Sequence, residues 1–209
     1  MSVYCTEGEI AGYLPSNYAN VITDFTTIIA NASAFVDGAL CAKYWPFNSV
    51  TDTPSTPQII RAVTSRYAAW LSLLTLKSVN RASDTSPAET YRLSAIQDLM
   101  AIADGTHQIP KEAVASETMT SLGTAPLESD EYKFAVAPKT VEPGSVVITG
   151  YQNGIDFVVG YSAINRGSIL TRLNDAITTA TTVAYEFSYL RQTEVETPAG
   201  QSGGRLIRA

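Results

Sequence analysis

Residues 91–110, YRLSAIQDLMAIADGTHQIP, indicate most clearly how the first half of this chain folds. Apolar side chains recur at helical spacing at Leu93, Ile96, Leu99, Met100 and Ala103. This spacing predicts an amphipathic helix with these five residues on its core face. Ser86 and Pro87 supply an N-cap and a proline at the first helical position. Gly105 is expected to end the helix in the left-handed conformation, which glycine adopts without steric cost.

Three further helices are predicted before this one. Thr6 and Glu9 have the spacing of a capping box, so a short helix is expected to begin there. A long helix should start near Asp24 and end just before Pro46, since proline disfavours helical geometry in the residue before it. A second long helix should follow Pro57 and lie centrally in the bundle. Its apolar residues recur at offsets of three or four, at Ile59, Val63, Tyr67, Trp70 and Leu74.

After residue 116 the composition changes to glycine-punctuated runs of Val, Ile, Thr, Tyr and Phe, which predicts an all-β part. Strands are expected within 133–137, 145–149, 155–161 and 181–190. The run 167–176 is compatible with a strand followed by a turn or with a short helix, and the strand followed by a turn is favoured. Asn153-Gly154 is a strong tight-turn signal and predicts a hairpin that joins 145–149 to 155–161. In the last run, alternation places one set of side chains on the same face: Val183, Tyr185, Phe187 and Tyr189.

The predicted fold class is therefore α+β, with an N-terminal helical bundle followed by a small, sandwich-like all-β domain. The helical domain is expected to cover residues 1–116 and the β domain residues 131–196. Residues 117–130 are polar, contain a glycine and a proline, and are interpreted as a linker. Residues 197–209, rich in glycine and serine, are expected to form a flexible C-terminal tail.

Composition narrows the class of function. The 209 residues are 45% hydrophobic and carry a net charge of −6 without a basic domain, which argues against sequence-specific nucleic-acid binding. Cys5 and Cys41 are far apart and are expected to be reduced and mostly buried thiols. The chain starts without the features of a signal peptide and has no apolar run near 20 residues, so we expect folding in the cytoplasm and no contact with a membrane.

No set of residues in the sequence points to catalysis. His107 is the only histidine and follows a predicted helix end, where an exposed loop position is expected. The sequence lacks the motifs of a nucleophile elbow, a phosphate-binding loop and a metal-binding helix. These absences predict a protein that is not an enzyme and that has no cofactor and no metal site.

The connecting segments carry a resemblance to a known family. A capped short helix is followed by a long helix that ends in KYWPF at 43–47, a proline-preceded helix with AAWL at 68–71, and a last helix that ends at Gly105 before Ile109-Pro110. In these features the chain resembles the small head-tail connector (adaptor) proteins of tailed bacteriophages. The resemblance covers roughly the first 110 residues, and it implies that 1–116 is a connector domain.

The resemblance implies a structural virion protein at the head-tail junction. In that family a ring, typically of twelve subunits, docks on the portal protein and gives the tail or a tail-completion protein its attachment platform. Double-stranded DNA passes through such a ring without specific binding, and members of the family are not enzymes. The β domain departs from the minimal members, so the surface that faces the tail does not transfer directly.

Two sets of partner-binding residues are predicted. Arg205, Leu206, Ile207 and Arg208 end the tail, where two apolar anchors flanked by arginines are expected to bind a neighbour or the portal. Tyr151 and Asn153 are expected at the tip of the predicted hairpin. The exposed sides of the long helices are expected to face neighbours in the ring.

An alternative function comes from the aromatic residues Tyr185, Phe187 and Tyr189. Aromatic faces bind sugars, so the β domain is alternatively a carbohydrate- or host-surface-binding module. The same alternation is also typical of the core face of a small sandwich. Exposure of these side chains distinguishes the two interpretations.

Overall fold

The computed structural model describes residues 3–15, 22, 24–80, 86–119, 130–136, 139–162 and 167–191. Along these ranges the chain is mixed α+β, with four α-helices first and six β-strands after them. It divides into two compact units, Met1–Pro110 and Lys111–Ala209, called here the first and the second unit. The division lies earlier than the predicted end of the helical domain at residue 116, because a strand of the second unit already begins at Glu112.

The first unit contains α1 (Glu7–Ala11), α2 (Phe25–Leu40), α3 (Gln58–Asn80) and α4 (Ser86–Asp104). The capping box of α1 is confirmed: the Glu9 N–H donates to the Thr6 hydroxyl (3.3 Å), and the Glu9 carboxylate accepts from the Thr6 N–H (2.8 Å). The left-handed end of α4 is also confirmed, with Gly105 at φ +91°. None of the described helices is both long enough and apolar enough to cross a bilayer.

The end of α2 was predicted too late. The helix starts near Asp24 as expected, and the Asp24 carboxylate caps it, but the helix ends at Leu40 rather than just before Pro46. The chain turns away because its next residues contact the end of α4. Lys43 Nζ donates to the Ala103 carbonyl (3.2 Å) and the Tyr44 hydroxyl donates to the Ile102 carbonyl (3.3 Å). These bonds satisfy carbonyls that have no partner within α4.

The central position of α3 is confirmed, since it packs against α1, α2 and α4. One buried cluster joins these helices around Cys5, Ile10, Leu14, Phe25, Ile29, Ala32, Ala68 and Ala69. The small side chains of Ala68 and Ala69 let neighbouring elements approach α3 closely. Two ion pairs flank the contacts: Arg61 with Glu9 of α1 (2.7 Å), and Arg66 with Asp98 of α4.

The predicted core face of α4 was largely wrong. Of its residues Leu99 is buried, but Leu93 and Met100 are 49% and 65% exposed and Ala103 is exposed as well. The buried side of the helix instead consists of Ala88, Ala95, Leu99 and Ile102. The alanines allow a close approach to α3, and Arg66 holds this rotation by donating to Ser94 (2.5 Å) as well as to Asp98.

The second unit contains two antiparallel three-stranded sheets. Its strands are β1 (Glu112–Thr118), β2 (Glu131–Lys133), β3 (Thr140–Val141), β4 (Phe157–Ser162), β5 (Gly167–Arg172) and β6 (Thr182–Ser188). One sheet has the order β1-β6-β3 and the other β2-β5-β4. The predicted strand followed by a turn in 167–176 is confirmed, as is the strand within 181–190.

The predicted hairpin between 145–149 and 155–161 was wrong. Pro143–Ser145 form a 3-10 helix, and Val147 makes a single bridge with Ala184 of β6. The strand β4 pairs with β5 instead. Pro143 and Gly144 start the 3-10 turn. The residues after this turn run toward the β1-β6-β3 sheet instead of pairing with β4. The strand expected at 133–137 was predicted too late in the chain: the strand β2 covers Glu131–Lys133, and residues 134–136 lie beyond its end.

Candidate interaction surfaces

Two adjacent loops of the second unit form a closely hydrogen-bonded surface, the loop platform, made of residues 151–156 and 173–177. Its first loop is fixed by the Asp156 N–H, which donates to the Gln152 carbonyl (2.8 Å), and by Gly154 at φ +85°. The second loop is joined to it through the Asp156 carbonyl, which accepts from the N–H groups of Leu173 (2.7 Å) and Asn174 (3.0 Å). The two loops therefore form one unit of fixed shape.

The Asp156 carboxylate holds the loop platform together from inside. It accepts from Asn174 Nδ2 (2.8 Å) and from the Gln152 N–H (2.8 Å). These two bonds, the one from Asn174 first, lower the pKa of Asp156 from its ordinary value because they favour the charged form. The carboxylate is therefore ionised at neutral pH and bridges both loops.

The predicted residues Tyr151 and Asn153 both lie in the loop platform. The Tyr151 hydroxyl donates to the Ala176 carbonyl (3.1 Å), and Asn153 Nδ2 donates to the Pro143 carbonyl (2.7 Å). Both side chains thus bind the protein's own backbone and stabilise the platform. The structure brings these two residues together with apolar neighbours that the sequence did not single out.

Those neighbours are Ile155 and Leu173. Their side chains are 68% and 59% exposed, although both belong to loops whose backbone is fixed by hydrogen bonds. Apolar side chains exposed on adjoining loops of fixed backbone offer a contact area that a partner could cover. The loop platform is therefore the strongest candidate interaction surface of the second unit.

A second candidate surface lies on α4. Leu93, Ile96, Met100 and Ala103, called here the α4 stripe, follow one another at spacings of three, four and three residues. Ile96 is half-buried and the other three are exposed. This spacing is the one by which two helices pack along a seam. The sequence indicated the apolar stripe, but the tertiary structure leaves most of it in solvent.

A buried polar cluster surrounds Glu117, which the sequence placed at the start of a linker. Its carboxylate accepts from the hydroxyls of Tyr132 on β2 and Tyr185 on β6, and from the Ala135 N–H (2.9 Å). Burial, then the hydrogen bond to the Glu117 carboxylate and its negative charge, raise the pKa of both tyrosines well above the ordinary range. Glu117 on β1 therefore joins the two sheets, since Tyr132 belongs to one and Tyr185 to the other. Residues 112–118, EAVASET, contain one large apolar residue, so little in the sequence marked them as a strand.

The aromatic face of β6 is not accessible. Val183, Tyr185, Phe187 and Tyr189 are each at most 2% exposed, as expected for a core face. Phe134 contacts Tyr185 edge to face, with ring centroids 4.8 Å apart. Buried rings offer no surface on which a sugar could stack, so the carbohydrate-binding interpretation loses the face on which it depended.

The cysteines and the histidine form no site with one another in the described part of the chain. Both cysteines are free; Cys5 is buried, but Cys41 is exposed, contrary to expectation. His107 is exposed, as predicted. Among the described residues no group of three or more metal-ligating side chains is close enough to hold a metal ion. Four predicted residues lie outside the described part of the chain: Arg205, Leu206, Ile207 and Arg208.

Comparison with known proteins gives no relative: no family model, curated protein or solved structure matches this chain.

Proposed function

We propose that this chain is a structural virion protein, a head-tail adaptor. Copies of it form a ring on the portal protein of a tailed bacteriophage and provide the platform to which the tail or a tail-completion protein attaches. In this proposal the first unit is the helical connector domain, and the second is a sandwich-like β domain that meets a further virion protein. The protein is assembled in the host cytoplasm and performs no catalysis.

The observation that carries the proposal is the loop platform. A joint between two large assemblies needs a surface whose shape is set before the partner arrives, because ordering a loop on binding reduces affinity. The loop platform meets this requirement, since the Asp156 carboxylate and carbonyl hold both loops in place. Ile155 and Leu173 then supply exposed apolar contact area.

The charge of the chain fits a ring through which DNA passes. The net charge is −6, and many acidic copies around a channel would not release counterions from DNA in the way that basic side chains do. DNA is therefore expected to move through the ring without adhering to it. Specific DNA contacts have no part in this proposal.

The test is reconstitution with the cognate portal, followed by electron microscopy. A closed ring stacked on the portal is the expected product, and portals that stay bare in the presence of excess chain would refute the adaptor function.

The loop platform is then tested by measuring whether tails attach to these rings. Leu173→Asp should abolish attachment, whereas Thr179→Asp adds the same charge at a nearby exposed position and should not. Equal attachment by both variants would refute the role of the platform.

A further inference from the structure

We propose that Asn153 is a deamidation site which the folded loop platform protects, and that its conversion to aspartate or isoaspartate opens the platform irreversibly. Asn153 and Gly154 form the only Asn-Gly pair in the chain, and both residues are exposed to water. Asparagine is a thermolabile residue, and a following glycine leaves its own backbone nitrogen unshielded because it has no Cβ. This site concerns the chemistry of the chain itself and goes beyond the adaptor proposal.

The reaction needs water and no other reactant. The Gly154 backbone nitrogen attacks Cγ of Asn153 and forms a bond to it. The bond from Cγ to Nδ2 breaks, and Nδ2 leaves as ammonia, which carries away the Gly154 proton. The succinimide ring that remains is opened by water. Attack of water at Cγ gives aspartate, whereas attack at the main-chain carbonyl carbon gives isoaspartate, in which the backbone runs through Cγ.

Both reacting groups are held by hydrogen bonds in the folded platform. The Gly154 N–H donates to the Phe157 carbonyl (2.7 Å), so the proton that has to leave is held in a bond. Asn153 Nδ2 donates to the Pro143 carbonyl (2.7 Å), so the leaving amide nitrogen is fixed to a residue ten positions earlier. Ring closure requires the release of both groups, and deamidation therefore proceeds from a locally opened platform. The Asp156 carboxylate, which joins the two loops, keeps that opened state rare.

The product cannot restore the platform. A carboxylate at position 153 has no N–H to donate, so it places an acceptor against the Pro143 carbonyl, which is itself an acceptor. It also adds a negative charge to the loop that already holds the ionised Asp156. Isoaspartate in addition lengthens the backbone by one carbon, which displaces the bridge between Asn153 and Phe157. Asn153 is therefore a one-way switch on this surface.

Mass spectrometry tests the protection. The full chain and a synthetic peptide with the sequence of residues 149–158 are incubated side by side at neutral pH in heavy-oxygen water. Uptake of the heavy oxygen at Asn153 is then followed in digests of both. The folded chain should react more slowly than the peptide by about tenfold or more, because the two bonds that hold the reacting groups are absent from the peptide. Equal rates in the two would overturn the proposal.

Variants of the full chain test whether the platform supplies this protection. Asp156→Ala should accelerate the reaction at Asn153 about tenfold. Tyr151→Phe removes only the bond to the Ala176 carbonyl and should accelerate it in the same direction. Asp175→Ala is the matched control, since it removes a carboxylate of the same platform from a side chain that is 99% exposed, and it should leave the rate unchanged. Rates that are the same in all three variants would refute protection by the platform.

Hydrogen exchange tests the effect of the product. Asn153→Asp reproduces the aspartate product, and the amides of Gly154, Asp156 and Leu173, which donate within the platform, should exchange about tenfold faster in it. Gln152→Glu adds the same charge at the neighbouring exposed position and should leave these rates unchanged. Exchange in Asn153→Asp that equals exchange in the unmodified chain would refute the one-way switch. All of these measurements use the chain without the portal, so failure of the adaptor function leaves their result unaffected.

Discussion

Replacing Glu117 by alanine should destabilise the second unit strongly, although the residue is only half-buried. Its carboxylate accepts from the hydroxyls of Tyr132 and Tyr185, which are 4% and 2% exposed. A buried donor left without a partner costs about 1–3 kcal/mol. Two such donors, with partial access of water past the half-exposed position, give an expected loss of about 2–4 kcal/mol.

Hydrogen exchange measures this loss where it occurs. Amides of β2 and β6 should exchange about 30 to 1,000 times faster in Glu117→Ala, which is the expected loss of 2–4 kcal/mol expressed as a rate ratio. Amides of α2 and α3 in the first unit serve as an internal reference and should keep their rates. Glu186→Ala is the matched control, since it removes an exposed carboxylate from the same strand β6. Equal rates in Glu117→Ala and Glu186→Ala would refute the role of this cluster.

The same cluster predicts a response to alkaline pH. Because the pKa of Tyr132 and of Tyr185 is raised above the ordinary value of 10.0, the folded state keeps these protons longer than the unfolded state does. Their contribution to stability is therefore complete below pH 10 and falls as the pH rises above it. Glu117→Gln removes the neighbouring charge, so ultraviolet titration should show these two phenols ionising at lower pH than in the unmodified chain. An unchanged titration curve would exclude the Glu117 charge as a cause.

Three further outcomes are expected. Thiol reagents should label Cys41 quickly and Cys5 only after unfolding, because burial raises the pKa of Cys5 to about 11; mass spectrometry of the labelled peptides checks this, and equal labelling would contradict it. Arg66→Met should lower the free energy of unfolding of the first unit by about 1–3 kcal/mol, since it leaves the partly buried Asp98 without its partner. Urea unfolding followed by tryptophan fluorescence measures this loss, because both tryptophans lie in the first unit. The loop platform should lose protection progressively as the pH falls below 3.8, because the folded state lowers the pKa of Asp156 and its contribution is complete only above that value. Asp156→Asn should remove this acid dependence of hydrogen exchange.

The mixed α+β class and the order of helices before strands were predictable because they depend on periodicity within each segment. Strand β6 shows this: its alternation of apolar and polar residues predicted both its position and its buried face. The pairing of β4 was not predictable in the same way. The Asn153-Gly154 signal correctly placed a tight turn, but it did not determine which strand lies beside β4, since pairing depends on residues far along the chain.

The residues of the candidate surfaces also differ in whether local sequence or distant contacts identify them. Tyr151 and Asn153 were identified from a turn motif, and both lie in the loop platform. Ile155 and Leu173 were missed, because exposure of an apolar residue depends on what folds over it. Glu117 was missed because its partners are 15 and 68 residues away along the chain.

The sequence by itself determined the local features of this protein. The capping box of Thr6 and Glu9, the carboxylate cap at Asp24 and the left-handed stop at Gly105 each involve groups within a few residues of one another, so they depend on local sequence alone. Only the tertiary structure decided which side of α4 is buried. That helix has apolar residues on two overlapping faces, and the period of the helix favours neither. The alanines that pack on α3 and the hydrogen bonds of Arg66 buried one face, and the other face became the exposed α4 stripe.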